Sequence, residues 1–191
     1  MTKVENDIDL FFQDPAIEPS SPGRFGVLYL LRRDIKQCVT TGQILWPATM
    51  AILAGIDLLG KFYAGEDGSG VGPRFRSFVD KYFQPISPDD AETIYQLRNA
   101  LLHSFGLYSK SRMNDYYFSL ILPEVGPLIQ RHPQNSDVYL ISIAALYDKF
   151  ETAVERYRTK LETDSELQSK FNAMFPYYGA IGVQAVSVKK S

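Results

Sequence analysis

Apolar residues recur at spacings of three and four through most of this chain, the pattern of helices that each lay one face on a common core. From Phe25 to Thr41, the residues Val27, Leu28, Leu31, Ile35 and Val39 mark one face, with Arg32, Arg33 and Lys36 opposite. A second helix is predicted from Pro47 to Tyr63, because proline suits a first helical turn whose N–H has no use. Met50, Ile52, Leu53, Ile56, Leu58, Leu59 and Phe62 leave it almost no polar face before Lys61, which marks a central helix. Gly65 to Gly72 reads as a loop, and a third helix follows with Phe75, Phe78, Val79 and Tyr82 inward. Ser87-Pro88-Asp89-Asp90 is a helix start: a capping serine, a proline in the first turn and two acids near the positive end of the dipole. That fourth helix carries through to about Gly106.

Beyond it the period changes. Gly106 to Ser111 and Asp115 to Leu122 alternate as two strands around a polar Arg112-Met113-Asn114, a hairpin pattern. Pro123, Pro127 and Pro133 punctuate a loop or short helical turn. Ser136 is placed as the cap of a long helix reaching Leu161, on the spacing of Tyr139, Ile143, Leu146, Phe150, Ala153, Tyr157 and Leu161. Ser165 to Phe175 suggests a last short helix. The expected fold is mainly α: a bundle of about five or six helices with a small β-hairpin after the fourth. Residues 1–23 are expected to be an acidic extended arm ending in a Pro/Ser/Gly stretch, residues 24–176 a single helical domain, and residues 177–191 a loosely held tail.

The chain has 191 residues, 45% hydrophobic and 22% charged, which fits one folded domain with a sizeable core. Its 12 Tyr and 12 Phe are expected to fill that core. Net charge is −2, against general nucleic-acid binding, and it is unevenly spread. Residues 1–23 carry five acids against Lys3, whereas residues 24–112 carry eleven Lys and Arg against eight acids. The single Cys38 cannot form an internal disulfide, and with two histidines it makes no zinc site of usual spacing, so no metal and no cofactor are expected. The N-terminus lacks the basic-then-apolar order of an export signal. The apolar run Ile44 to Leu59 is shorter than the ~20 residues of a membrane span, so a cytoplasmic protein without membrane contact is expected.

Gly55 to Phe62 nearly spells a phosphate-binding loop, but Phe62 stands where Ser or Thr must reach a metal, and the segment lies within a helix. The glycines at 68, 70 and 72 follow no strand and read as a connector; His132 reads as a surface residue. The fourth helix is more informative. At about 100° per residue, Ile94, Leu97, Leu101 and Phe105 form its core stripe, and Asn99 and His103 lie one turn apart on another sector, with Tyr95 and Leu102 between. Arg98 stands at the edge of the stripe. A face mixing apolar, amide and imidazole groups suits an interface or a site. Asp57, the lone acid inside the central helix, must be paired or protonated, with Arg98, Arg74 and Arg76 as candidate partners. The purely structural alternative has Arg98 paired with Asp57 and His103 capping a carbonyl at the helix end.

Arg98-Asn99-Ala100-Leu101-Leu102-His103 resembles the R-x4-6-H motif of the HEPN domains (higher eukaryote and prokaryote nucleotide-binding), including the polar residue just after the arginine. The resemblance extends to a helical chain, a motif late in the last helix of a bundle and an isolated acid on an earlier helix. It covers about residues 25–105 and the long helix after Ser136, and leaves the hairpin and acidic arm unexplained. It implies a homodimer with facing motif helices and, in active members, RNA cleavage without a metal. Arg98 would then hold the scissile phosphate, His103 would act as general acid or base, Asn99 would position the phosphate or His103, and Asp57 would orient Arg98, with Tyr95 in support. Many members resembling this one are instead non-catalytic dimerisation modules or bind a nucleotide or protein partner.

Overall fold

The computed structural model describes residues 3–17, 23–41, 44–122 and 126–182. Among them are seven helices: α1 (Lys3–Phe11), α2 (Val27–Thr41), α3 (Leu45–Ala64), α4 (Val71–Tyr82), α5 (Pro88–Ser104), α6 (Ile143–Thr163) and α7 (Ser165–Tyr178). The strands are β1 (Arg24–Gly26), β2 (Tyr108–Lys110), β3 (Asp115–Ile121), β4 (Ile129–His132), β5 (Asn135–Ser142) and β6 (Ala180–Gly182). The chain is therefore mainly helical, with a four-stranded mixed sheet of order β2-β3-β5-β4 and a two-stranded β1-β6 pair.

α3 is the axis of the fold. Ala48, Ile52, Leu53, Ile56, Leu59 and Phe62 on it are fully buried, and α2, α4, α5, α6 and α7 all pack against it. At 20 residues it meets the length and composition of a membrane span, yet half of its most apolar stretch is buried within the protein. The near-match to a phosphate loop has a packing explanation: a Cβ at Gly55 would come within 2.7 Å of the Phe150 ring of α6, so glycine lets the two helices close up.

The N-terminal segment corrects the expectation of an extended arm. Its first part is α1, and Ile8, Phe11 and Phe12, spaced three and four apart, are buried in the core. The Phe11 ring lies 4.5 Å from Phe62 and 5.5 Å from Phe171, centre to centre. Five acids in the first 23 residues masked an amphipathic stripe. Residues 18–22 of the Pro/Ser/Gly stretch lie outside the described residues. At the other end, Tyr177 and Tyr178 finish α7, and β6 pairs antiparallel with β1, Phe25 opposite Ile181. Of the segment expected to be a loose tail, residues 177–182 are thus built into the fold, and 183–191 lie outside the described residues.

The hairpin between β2 and β3 lies at the expected place, with Tyr108 opposite Tyr117, but it is half of a larger sheet. β5 runs parallel to β3 and antiparallel to β4. Ser136 consequently caps nothing; it lies in β5, and α6 starts at Ile143, where the Ser142 hydroxyl accepts from the Ala145 N–H at 3.2 Å. Tyr139 and Ile143 stand four apart and mimic helical spacing, but Val138 to Ser142 pair with Tyr117 to Ile121, and that ladder overrides local pattern. Phe105 also departs from its expected core position. α5 ends one residue earlier, Phe105 takes a left-handed conformation (φ 48°), and its side chain is 72% exposed. Half-buried Leu107 packs against the core instead.

Replacing Phe11 with Ala should lower stability by about 3–5 kcal/mol in urea unfolding, the cost of deleting a buried aromatic ring. A change within about 0.5 kcal/mol, as at a solvent-facing arm, would remove α1 from the core.

Candidate functional site

The site grows from the start of α5. The Ser87 hydroxyl accepts from the Asp90 N–H at 3.0 Å, Pro88 opens the first turn, and Asp89 and Asp90 sit at the dipole's positive end. This register turns Ile94, Leu97 and Leu101 into the core. Arg98 then falls against α3 and is only 6% exposed.

Each nitrogen of its guanidinium has a protein partner. Nε and Nη2 donate to Asp57 Oδ2 at 2.9 and 2.7 Å. Nη1 donates to Asn99 Oδ1 at 3.4 Å and to His103 Nε2. Arg98 thus links α3 to the last turn of α5. Of the three candidate partners for Asp57, Arg98 is the one engaged: Arg74 pairs with Asp67 at 2.9 Å, and Arg76 with Glu92 at 2.9 Å. Asp57 Oδ1 is buried without a hydrogen-bond partner. Burial pushes the Asp57 carboxyl above the usual aspartate range, against the pull of Arg98 and the weaker fields of Arg74 and His103.

His103 is exposed at the end of the helix and Asn99 is half-buried beside it. The imidazole does not cap a carbonyl; it turns back onto Arg98. A guanidinium carries only donors, so Nε2 accepts and the proton of the neutral ring sits on Nδ1. Tyr95 lies further from the cluster, with Arg76 stacked 3.6 Å from its ring centre and Phe75 packed at 5.7 Å. The structure therefore gathers Arg98, Asn99, His103 and Asp57 by hydrogen bonds and places Tyr95 in the contact between α4 and α5. Among the described residues no group of three His, Cys, Asp or Glu side chains is placed to hold a metal ion.

A second polar chain was not anticipated from sequence. Arg76 pairs with Glu92; the Gln96 amide donates to Glu92 at 2.7 Å and accepts from the Ser109 hydroxyl at 2.6 Å, tying α4 through α5 to β2. The four-residue step from Glu92 to Gln96 was its only local signal. Set against protein-family models, curated proteins and solved structures, the chain gives no match in any of the three comparisons.

Asp57→Ala should cost about 3–5 kcal/mol, because it strands the buried Arg98 charge; equilibrium urea unfolding measures it. The pH dependence carries a sign opposite to that of an ordinary surface pair. A carboxyl raised on folding takes up a proton as the chain folds. Its favourable contribution is complete below the unfolded value of about 3.9 and is lost as pH rises through the higher folded value. Wild type should therefore gain stability relative to Asp57→Asn on acidification towards pH ~4; unfolding curves of both proteins across that range decide it.

Proposed function

We propose that this chain is a HEPN-like, cytoplasmic protein that works as a homodimer and cleaves RNA without a metal, His103 moving the proton and Arg98 holding the imidazole. The observation that carries this reading is the Arg98 Nη1 to His103 Nε2 hydrogen bond at the exposed end of α5. A buried, ion-paired arginine fixes the orientation of the one histidine in the cluster, which stands at the solvent-facing end of α5 where a proton-transfer group must meet its substrate. Arg98 becomes a positioning residue rather than the holder of the phosphate, because each of its nitrogens already has a protein partner.

The dimer reading is supported by two half-buried stripes that pass through the cluster. Met50, Ala54, Asp57, Leu58 and Lys61 recur at threes and fours on α3, and Tyr95, Asn99 and Leu102 do so on α5. A two-fold axis across this surface supplies two histidines. One, its Nε2 released from Arg98 as RNA binds, accepts the proton of the ribose 2′-hydroxyl as its oxygen attacks phosphorus. The other, entering as the imidazolium, protonates the departing 5′-oxygen, leaving a 2′,3′-cyclic phosphate.

The burial of Arg98 favours a second reading, a non-catalytic dimerisation or partner-binding module. There the cluster only stiffens the interface, and the guanidinium, with a protein partner at each nitrogen, is committed to it.

Cleavage of labelled single-stranded RNA in EDTA, by wild type and His103→Ala side by side, separates the two. On the first reading wild type leaves cyclic-phosphate ends and the variant loses about 10²-fold or more in rate, with unfolding curves unchanged. No cleavage by a wild-type dimer verified by sedimentation establishes the module reading.

A further inference from the structure

A cleft of about 520 Å³ opens between the first turn of α5 and the buried face of the sheet, away from His103. Its α5 wall carries Asp89, Asp90 and Glu92. Glu92 is held by Arg76 and Gln96, whereas the carboxylates of Asp89 and Asp90 make no ion pair or hydrogen bond among the described residues. On the opposite wall Tyr116 and Tyr139 stack with ring centres 5.4 Å apart and planes 18° from parallel. Tyr116 is only 6% exposed, lines the cleft, and its hydroxyl has no hydrogen-bond partner among the described residues. It is not one of the sealed core hydroxyls, as those of Tyr82 and Tyr157 are.

We propose that this cleft binds a small organic cation with a planar guanidinium head. With Glu92 neutralised by Arg76, the two free carboxylates of Asp89 and Asp90 outnumber the single guanidinium of Arg131 that lines it, so it favours positive charge. Two free carboxylates match the paired donors of a guanidinium, and the Tyr116 hydroxyl supplies an acceptor. The protein already shows how this wall meets such a group. Arg131 lies 3.6 Å from the Tyr139 ring centre, donating to the Tyr139 hydroxyl at 2.6 Å and to the Ser136 carbonyl at 2.8 Å. Helix-dipole stabilisation explains acids at the start of α5, but not a tyrosine only 6% exposed whose hydroxyl opens into the cleft beside them without a partner among the described residues.

Titration calorimetry of the full chain with agmatine, at fixed ionic strength, tests this. Saturable one-to-one binding is expected, weakened about tenfold or more by the Asp89→Asn, Asp90→Asn double substitution. Tyr116→Phe removes only an unpaired hydroxyl, keeps the fold, and should weaken binding a few-fold. Spermidine, an alkylammonium of higher charge, should bind less tightly than agmatine. Absence of saturable binding, binding indifferent to both sets of substitutions, spermidine equalling agmatine, or guanosine 5′-monophosphate binding more tightly than agmatine would each overturn the assignment.

Discussion

A helix with no polar face has to be enclosed, and the enclosure of α3 governs the architecture. Five helices pack around it, and two glycines on it are buried at close approaches: Gly55 to Phe150 and Gly60 to the backbone of Arg74. The single acid on α3 turns this packing requirement into an electrostatic one. Asp57 cannot stay ionised in such surroundings without a cation, and Arg98 meets that need from α5 with two short hydrogen bonds to one oxygen. The Arg98–Asp57 pair therefore sets the register of α5 against α3 and, through Nη1, the position of His103. Fold and candidate site share one interaction.

Much of this was legible in the residues. The helical spans from Val27 to Ser104 follow the apolar spacing closely, and the Ser87 cap has the geometry its sequence implies. That Asp57 needs a cationic partner followed from the cost of burying a lone carboxylate; that Arg98 and not Arg74 or Arg76 supplies it is visible only in the structure. The failures have physical causes as well. Tyr139 and Ile143 share a helical spacing, but β5 is flanked by strands on both sides, and two ladders outweigh a local period. α1 was hidden because Glu5, Asp7 and Asp9 are interspersed among its apolar residues, while Ile8, Phe11 and Phe12 are the buried residues described for this segment. Phe105 left the core because the chain turns left-handed at the end of α5.

The candidate site was legible as a group of residue types and not as an arrangement. Spacing on one helix puts Asn99 and His103 a turn apart, but it cannot show that the guanidinium lies between them or that His103 faces inward with Nε2. The cleft beside α5 was out of reach for a different reason. It needs Tyr116 and Tyr139 on adjacent parallel strands, a pairing invisible once Tyr139 is read as helical.

The pairing of β1 with β6 closes the domain like a clasp. Only three residues on each side form it, reinforced by the Val27 N–H donating to the Gly179 carbonyl at 3.0 Å. The loop it closes spans nearly the whole domain, and loop-closure entropy grows only slowly with length, so the clasp does not strain the fold. So few pairs make it a natural place for a sub-global opening. α1 and α7 flank it, and their phenylalanines 11, 171 and 175 meet one another in edge-on and tilted contacts. The two ends of the described domain would then loosen as one cooperative unit, while the α3–α5 pair that holds Arg98 and Asp57 stays closed.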